Sequence, residues 1–400
     1  MNAIGELRIV LYHVNGKADA VEVVSARPDA SRVLLGKTPE QVLTIIPLLF
    51  SICAHAQSYA ALTACRTALG LSKEPELDAA HLMLVELETL REHVWRILLD
   101  WSGFISLQAD KKSLAEFIKL AVRLKRILFR HGQGFKPDSR LEIDRQALIG
   151  FGAELEAFID LTVFKGGLSD FRQIENEEQL LAWLRGNRSV PALFMSYLYH
   201  RQWWAVGNSA IDCLPALDGV SFGRHLQQHD LRSYSQAPHW QGRCFETTVL
   251  NRFVSQPLIL QLRSRYQNGI LVRILARLLE VCRISSCLHL WADDFHNSAD
   301  LNLDCEFGVG IGIGQVQAAR GLLIHRLELY QGLVKDYCII APTEWNFHPQ
   351  GVVEAGLKSL RAENETELRR QAELLINLID PCVQYDLILA NSEKAPEVHA

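Results

Sequence analysis

Nine cysteines are spread over the 400 residues, at Cys53, Cys65, Cys213, Cys244, Cys282, Cys287, Cys305, Cys338 and Cys382, yet no two of them form a Cys-x-x-Cys. That absence excludes a zinc ribbon, a ferredoxin-type cluster site and a thioredoxin-like dithiol. An excess of charge is missing too. Forty-one basic residues against 46 acidic ones leave −5 with the histidines neutral, so no global pull toward nucleic acid or anionic membrane follows. The opening Met1-Asn2-Ala3-Ile4-Gly5-Glu6 has neither the basic start nor the apolar run of a secretory signal. An odd number of cysteines in such a chain points to free thiols in a reducing, cytoplasmic setting. Also absent are Gly-x-Ser-x-Gly, a P-loop, His-Glu-x-x-His, internal repeats and low-complexity tracts. Gly310-x-Gly312 is followed by Gln315 where the dinucleotide fingerprint needs glycine, so that reading fails as well.

What is present, 48% hydrophobic and 22% charged residues, describes a globular α+β chain, mostly helical and organised as a single domain over 1–400. Residues 1–36 read as a hairpin, with strands at Glu6–Tyr12 and Ala20–Val24 turning at Asn15-Gly16. Residues 37–131 are helical. Thr38-Pro39-Glu40 opens a helix, and no charged residue appears from Val42 to Cys65. Pro47, Ser51, His55, Gln57 and Ser58 make that stretch a poor membrane span and favour one helix buried on most sides. A long helix follows over Glu76–Trp101. Another covers 111–130, and its basic residues suit the solvated side of a core-packed helix. The middle, 132–268, is mixed. Residues 269–400 return to helix, then to a glycine-alternating strand over 308–314, a second hairpin turning at Gln331-Gly332, and a helix over 363–378. Short strands near both ends suggest a shared sheet region that brings Cys53 and Cys382 together.

Each candidate for chemistry has a plain alternative. Cys382 follows Asp380-Pro381 at a helix end, where a thiol is either fixed for use or merely structural. Cys53, read as lying within an uncharged helix, is either a ligand or a small hydrophobe. Arg320 either presents its fork of donors to an anion or pairs with a carboxylate. Thr343 and Asn346 either point into a site or stitch a turn. His225 and His229 share a helix face at i, i+4, which by itself is weak evidence for a metal. Cys282, Cys287, His289 and His296, with Asp293 and Asp294, match no zinc module.

In order along the chain, Gly5-Glu6-Leu7-Arg8, Gly36-Lys37-Thr38-Pro39, Ala318-Ala319-Arg320-Gly321, Ala341-Pro342-Thr343-Glu344-Trp345-Asn346 and Asp380-Pro381-Cys382 resemble the large subunit of nickel–iron hydrogenases. The likeness covers about residues 1–100 and 300–385 and is faint through a divergent middle. It implies the large-subunit fold, with a long-helix core and small sheets from the two ends of the chain. The departures bear on function. The family's first paired cysteine falls at Phe50, its arginine at Leu48 and its histidine at Gln57. The second C-terminal cysteine falls at Tyr385, the terminal histidine at Ile388 and the proton-relay glutamate at Ile4. Two thiolates of four cannot build the nickel site, so the resemblance implies no hydrogen turnover, no nickel and no C-terminal cleavage.

The retained half, Cys53 and Cys382 with Arg320 and Thr343, is similar to the HupK/HoxV-type hydrogenase maturation proteins. Segments 53–57 and Glu246–Arg252 share that look. This resemblance implies a non-catalytic scaffold. Cys53 and Cys382 would be metal ligands, and Arg320 and Thr343 would contact the cyanides of an Fe(CN)2(CO) fragment held transiently. The partners it implies are an iron-fragment donor or chaperone complex and the large-subunit precursor. The alternatives are a divergent large subunit that completes its site with a cysteine such as Cys65, and a metal-free interaction protein. Cys65, twelve residues on, faces about 120° away around a helix.

Overall fold

Residues 6–26, 28–72, 74–129, 134–136, 138–290, 305–306 and 310–392 are described by the structure, a computed structural model. Strand β1 (Glu6–Val14) buries Leu7, Ile9 and Leu11 and turns outward Glu6 and Arg8, the period-two signature of a strand with one face on a core. It turns at Asn15-Gly16 into β2 (Lys17–Ala26).

The uncharged stretch is two helices, not the single one expected. Helix α1 (Pro39–Leu49) starts at a capping box in which Thr38 and Gln41 satisfy each other's backbone N–H groups. Pro47 lies in its last turns, and the missing N–H there helps to stop propagation. After a short irregular link, α2 (Ala54–Ala68) begins. Cys53 therefore occupies the position just before a helix rather than a site inside one. The long helix α3 (Pro75–Trp95) continues through a π turn to Trp101. Helix α4 (Lys111–Leu128) is capped by Asp110. It buries Leu114, Phe117, Leu120, Leu124 and Leu128 while Lys112, Lys119 and Arg126 face outward, as the solvated-side reading requires.

Helix α5 (Arg145–Ile159), a series of shorter helices that includes α6 (Gly219–Gln227) and α7 (Leu231–Gln236), and the long α8 (Ile270–Leu290) complete the helical body. Helix α8 packs on α3 and α5, with Ile274, Leu278, Phe151, Leu155, Leu90 and Val94 in one core. No helix among the described residues is long and apolar enough to cross a membrane.

Two sheets flank this body. Strands β3 (Cys305–Glu306), β4 (Ile311–Ala318), β5 (Gly321–Tyr330) and β6 (Leu333–Ile340) form an antiparallel sheet in that order. The chain then passes through α9 (Pro342–Asn346) and α10 (Glu365–Ile379) to β7 (Gln384–Asn391). Strand β7 pairs parallel to β1, with Ile9 opposite Leu387, in the order β2-β1-β7. The two ends do share a sheet, but the second hairpin stands in the other one. The three-stranded sheet covers Leu368, Ala372, Leu375 and Ile376 of α10.

The alternating glycines of β4 let its backbone lie directly against α2. A Cβ on Gly312 would stand 1.9 Å from the Ala64 carbonyl oxygen, and one on Gly314 would stand 2.1 Å from that of Ala60. We expect Gly314→Val to cost about 3 kcal/mol, since overpacked backbone contacts cannot be relieved by side-chain rotation. Gly150→Ala, on an exposed stretch of α5 with open space around it, should be neutral or slightly stabilising. Urea midpoints of the two variants check both.

Candidate functional site

The link Phe50–Cys53 is held from α3. The Glu88 carboxylate accepts the first free N–H groups of α2, from His55 at 2.9 Å and Ala56 at 3.1 Å, acting as a helix cap supplied from a distant part of the chain. Arg91 donates to the Ile52 carbonyl at 2.9 Å. The half-buried Cys53 is thereby fixed at the N-terminal end of α2. Cys382 is fixed from the other end of the chain. Asp380 ends α10 in the left-handed region at φ 68°, a conformation that Asp tolerates better than most residues, and Pro381 turns the chain toward β7.

Strand β6 delivers α9 beside Cys382. The Thr343 hydroxyl accepts from the Cys382 N–H at 3.3 Å and lies 3.1 Å from its Sγ, so it can donate to the sulfur. Arg320 stands in the β4–β5 turn, whose tightness Gly321 permits: its φ is 127°, and a Cβ there would meet the Thr247 carbonyl oxygen at 1.9 Å. Asn346 ties the turn to the 246–248 segment, donating to the Arg320 carbonyl at 3.2 Å and accepting from the Thr247 N–H at 2.8 Å. Glu246 is in turn clamped by Arg273 through two bonds of 2.9 and 2.8 Å.

Arg320 pairs with carboxylates. Its Nε lies 3.3 Å from Asp380 and its Nη2 3.1 Å from Glu92. Asp380, 2% exposed, also faces Arg96 at 2.7 Å and Arg277 at 3.8 Å. Burial works against its charge, but Arg320, Arg96 and Arg277 together outweigh burial and hold the carboxyl down at about 2. Burial pushes the Cys53 thiol up to about 12, reinforced by the Cys382 sulfur and Glu88 and opposed by Arg320 and the Gln57 amide. The Cys382 sulfur is thus near enough to act on Cys53, and burial keeps Cys53 a neutral thiol until something displaces its proton.

Four residues picked from sequence, Cys53, Cys382, Arg320 and Thr343, therefore converge. The substituted positions are filled differently. Phe50 packs against the α1–α2 core and lines a cleft of about 550 Å³ that also reaches Gln57, Tyr337 and Thr343. Tyr385 turns to α10 and donates to Asn377 at 3.2 Å. Gln57 is buried and accepts from His325 Nε2 at 2.8 Å, while His325 Nδ1 accepts from the Tyr337 hydroxyl at 2.8 Å. Burial alone holds His325 at about 3, so it is a neutral link in that chain. Cys65 packs among Val42, Leu327 and Tyr337 in the core of α1, α2 and the larger sheet. Cys282 and Cys287 lie on α8. The His289 side chain, His296, Asp293, Asp294 and Ile4 lie outside the described residues.

Sequence reasoning missed Asp380 as an ionic centre, along with Glu88, Glu92, Arg96 and Arg277. One signal was available. Glu88, Glu92 and Arg96 recur at i, i+4 along α3 and into the π turn that continues it.

No protein-family model matches the sequence. Curated relatives do. The chain is 28% identical to the hydrogenase expression/formation protein HupV of Azotobacter chroococcum mcd 1 over 385 residues, 96% of this chain and 98% of that one. It is 26% identical to HupK of Azotobacter vinelandii over 97% and 99% of the two chains, and 28% identical to HoxV of Cupriavidus necator over 92% and 93%. Among solved structures, the reduced, active Ni-Fe-Se hydrogenase of Desulfomicrobium baculatum superposes with a TM-score of 0.65 at 13% identity, covering 93% of this chain and 95% of that one. The oxidised enzyme of D. vulgaris Hildenborough gives 0.64 at 14% identity, covering 92% and 94%. The fold is that of a nickel–iron hydrogenase large subunit. Within it, the chain is similar over nearly its whole length to the HupV, HupK and HoxV expression/formation proteins.

Replacing Asp380 by Asn should cost about 3 kcal/mol or more at neutral pH, because three guanidiniums lose their common counter-charge in the interior. The carboxyl is depressed in the folded state. Its contribution is therefore fully present above the ordinary Asp value and is lost as pH falls through about 2. The stability gap between the parent and Asp380→Asn should accordingly narrow below about pH 4. Urea unfolding at stepped pH measures it.

Proposed function

We propose that this chain serves in the formation of nickel–iron hydrogenase as a maturation scaffold. It would hold an Fe(CN)2(CO) fragment as cargo before transfer to the large-subunit precursor. The coarser part of this reading, a role in hydrogenase formation rather than hydrogen turnover, rests on the end-to-end likeness to proteins named for expression and formation. The finer part rests on one observation. Of the family's four thiolate positions two remain in the sequence, the Thr343 hydroxyl lies 3.1 Å from the Cys382 sulfur, and both sulfurs lie near enough to Arg320 to act on its charge, while Phe50 and Tyr385 occupy the other two positions.

The donor set fits the cargo. Two soft sulfurs suit a low-valent iron. The Thr343 hydroxyl already sits against the Cys382 sulfur, and Arg320 brings a buried positive charge that an anionic cyanide would share with Asp380 and Glu92. Cys53 must give up its proton on loading, and the Arg320 charge favours the thiolate that results. Nickel is not expected at this pair, because two thiolates fall short of its tetrathiolate site. The partners that follow are an iron-fragment donor or chaperone complex and the large-subunit precursor, acting in the cytoplasm. The cleft beside Phe50, Gln57 and Thr343 reaches the hydroxyl that contacts Cys382 and would be the route by which a fragment enters and leaves.

Protein purified after co-production with the iron-fragment maturation factors should show carbonyl and cyanide infrared bands. Those bands should vanish in Cys53→Ser/Cys382→Ser, while far-UV circular dichroism stays unchanged. Bands that persist in the double variant would rule out the two cysteines as the holding site, and a parent protein that lacks them would rule out the carrier role and leave a metal-free assembly protein.

A further inference from the structure

The segment from 219 to 240 carries a group that the cysteine pocket does not use. His225 lies in the last turn of α6, and His229 lies two residues past its end rather than on the shared helix face expected from sequence; the chain returns through α7 to lay His239 against both. One ring nitrogen from each of the three lies within 4.8 Å of those of the other two. Ring centroids are 4.4 Å apart for His225 and His229, 5.0 Å for His229 and His239, and 5.5 Å for His225 and His239. All three side chains are half-buried.

Two of the rings have one nitrogen held by a backbone carbonyl. His225 Nε2 lies 3.2 Å from the His239 carbonyl, and His229 Nδ1 lies 2.8 Å from the His225 carbonyl. A carbonyl only accepts, so each of these nitrogens carries the hydrogen, and the lone pairs sit on His225 Nδ1 and His229 Nε2. The Tyr234 hydroxyl, 2.5 Å from the His239 carbonyl, steadies that acceptor. His239 Nδ1 is buried with no hydrogen-bond partner, an unsatisfied atom that calls for a ligand. Backbone carbonyls that fix the tautomer of an imidazole are the usual outer support of a metal-binding histidine.

We propose that His225, His229 and His239 bind one divalent late first-row transition-metal ion, of which Zn²⁺ is the best fit, with solvent completing the shell. Three neutral imidazoles without a carboxylate disfavour magnesium and calcium and suit zinc and its neighbours. A tetrahedral ion at about 2.0–2.1 Å from each nitrogen needs nitrogens about 3.3 Å apart, so the rings draw together on binding. Leu231, Ser235, Gln236 and Ala237 of the same segment line the cleft that reaches Gln57 and Thr343. The ion would therefore tie α6 to the chain beyond α7 and stiffen one wall of that cleft. The site is independent of the cargo reading.

The test is a Co²⁺ titration of the full-length, untagged, chelator-treated chain, carried out in parent and Cys53→Ser/Cys382→Ser backgrounds. One equivalent should bind in both, with visible d–d bands that Zn²⁺ displaces. His229→Gln and His239→Gln should each weaken binding at least about tenfold. Zn²⁺ should raise the Tm of the parent and leave the variants unmoved. A stoichiometry unchanged in the His229→Gln/His239→Gln double variant overturns the proposal, as does a folded parent that binds no Co²⁺ at millimolar metal. If the variants fail to fold, the parent alone decides. Zn²⁺ should shield these three histidines from diethyl pyrocarbonate, and equal modification with and without Zn²⁺ refutes the site.

Discussion

Asp380 keeps its charge in the interior because guanidiniums from three separate elements converge on it: Arg96 from the π turn after α3, Arg277 from α8 and Arg320 from the β4–β5 turn. The same carboxylate ends α10 in a left-handed turn, and that turn aims Cys382. Each of these charges costs several kcal/mol to bring out of water, and their mutual attraction does little more than offset that cost. Position is what the cluster secures. Arg320 cannot swing away from the thiols while Asp380 and Glu92 hold two of its nitrogens, and α3, which carries Glu92, also carries the Glu88 cap that sets Cys53.

The pocket is asymmetric in a way that its chemistry reflects. Cys53 is a raised, neutral thiol under the influence of its burial and of the neighbouring sulfur. Cys382 has a hydroxyl at its sulfur and a backbone N–H tied to that same hydroxyl. On the far side, Gln57, His325 and Tyr337 form a closed hydrogen-bond chain whose histidine is neutral, so these groups shape the wall rather than supply charge. Phe50 is anchored in a core and Tyr385 on Asn377.

Much of this was legible in the sequence because it is locally encoded. Asn15-Gly16 and Gln331-Gly332 mark hairpins, the β4 glycines mark a close backbone approach, and Asp380-Pro381-Cys382 marks a turn. The break before Cys53 was not legible. Pro47 is only a partial stop, and the group that starts α2 is Glu88, more than thirty residues away. The ion cluster escaped for the same reason: its members come from α3 and the π turn after it, α8, a hairpin turn and the end of α10, and the only local pattern among them is the i, i+4 spacing of Glu92 and Arg96. His239 likewise gave no sign of joining His225 and His229, since a turn of the chain rather than a helix period brings it there.

The parallel pairing of β1 with β7 has a consequence for the order of assembly. Leu7 lies opposite Tyr385 and Ile9 opposite Leu387, so the first described strand finds its partner only when the last one has been synthesised. Contacts of such sequence separation are the slowest to form, and a chain emerging N-terminus first must wait for them. Until then β1 and β2 form a hairpin with one long edge unpaired, and Cys382 is not yet beside Cys53. The pocket is therefore a late product of translation. A half-made chain has Cys53 but not yet the turn that carries Cys382.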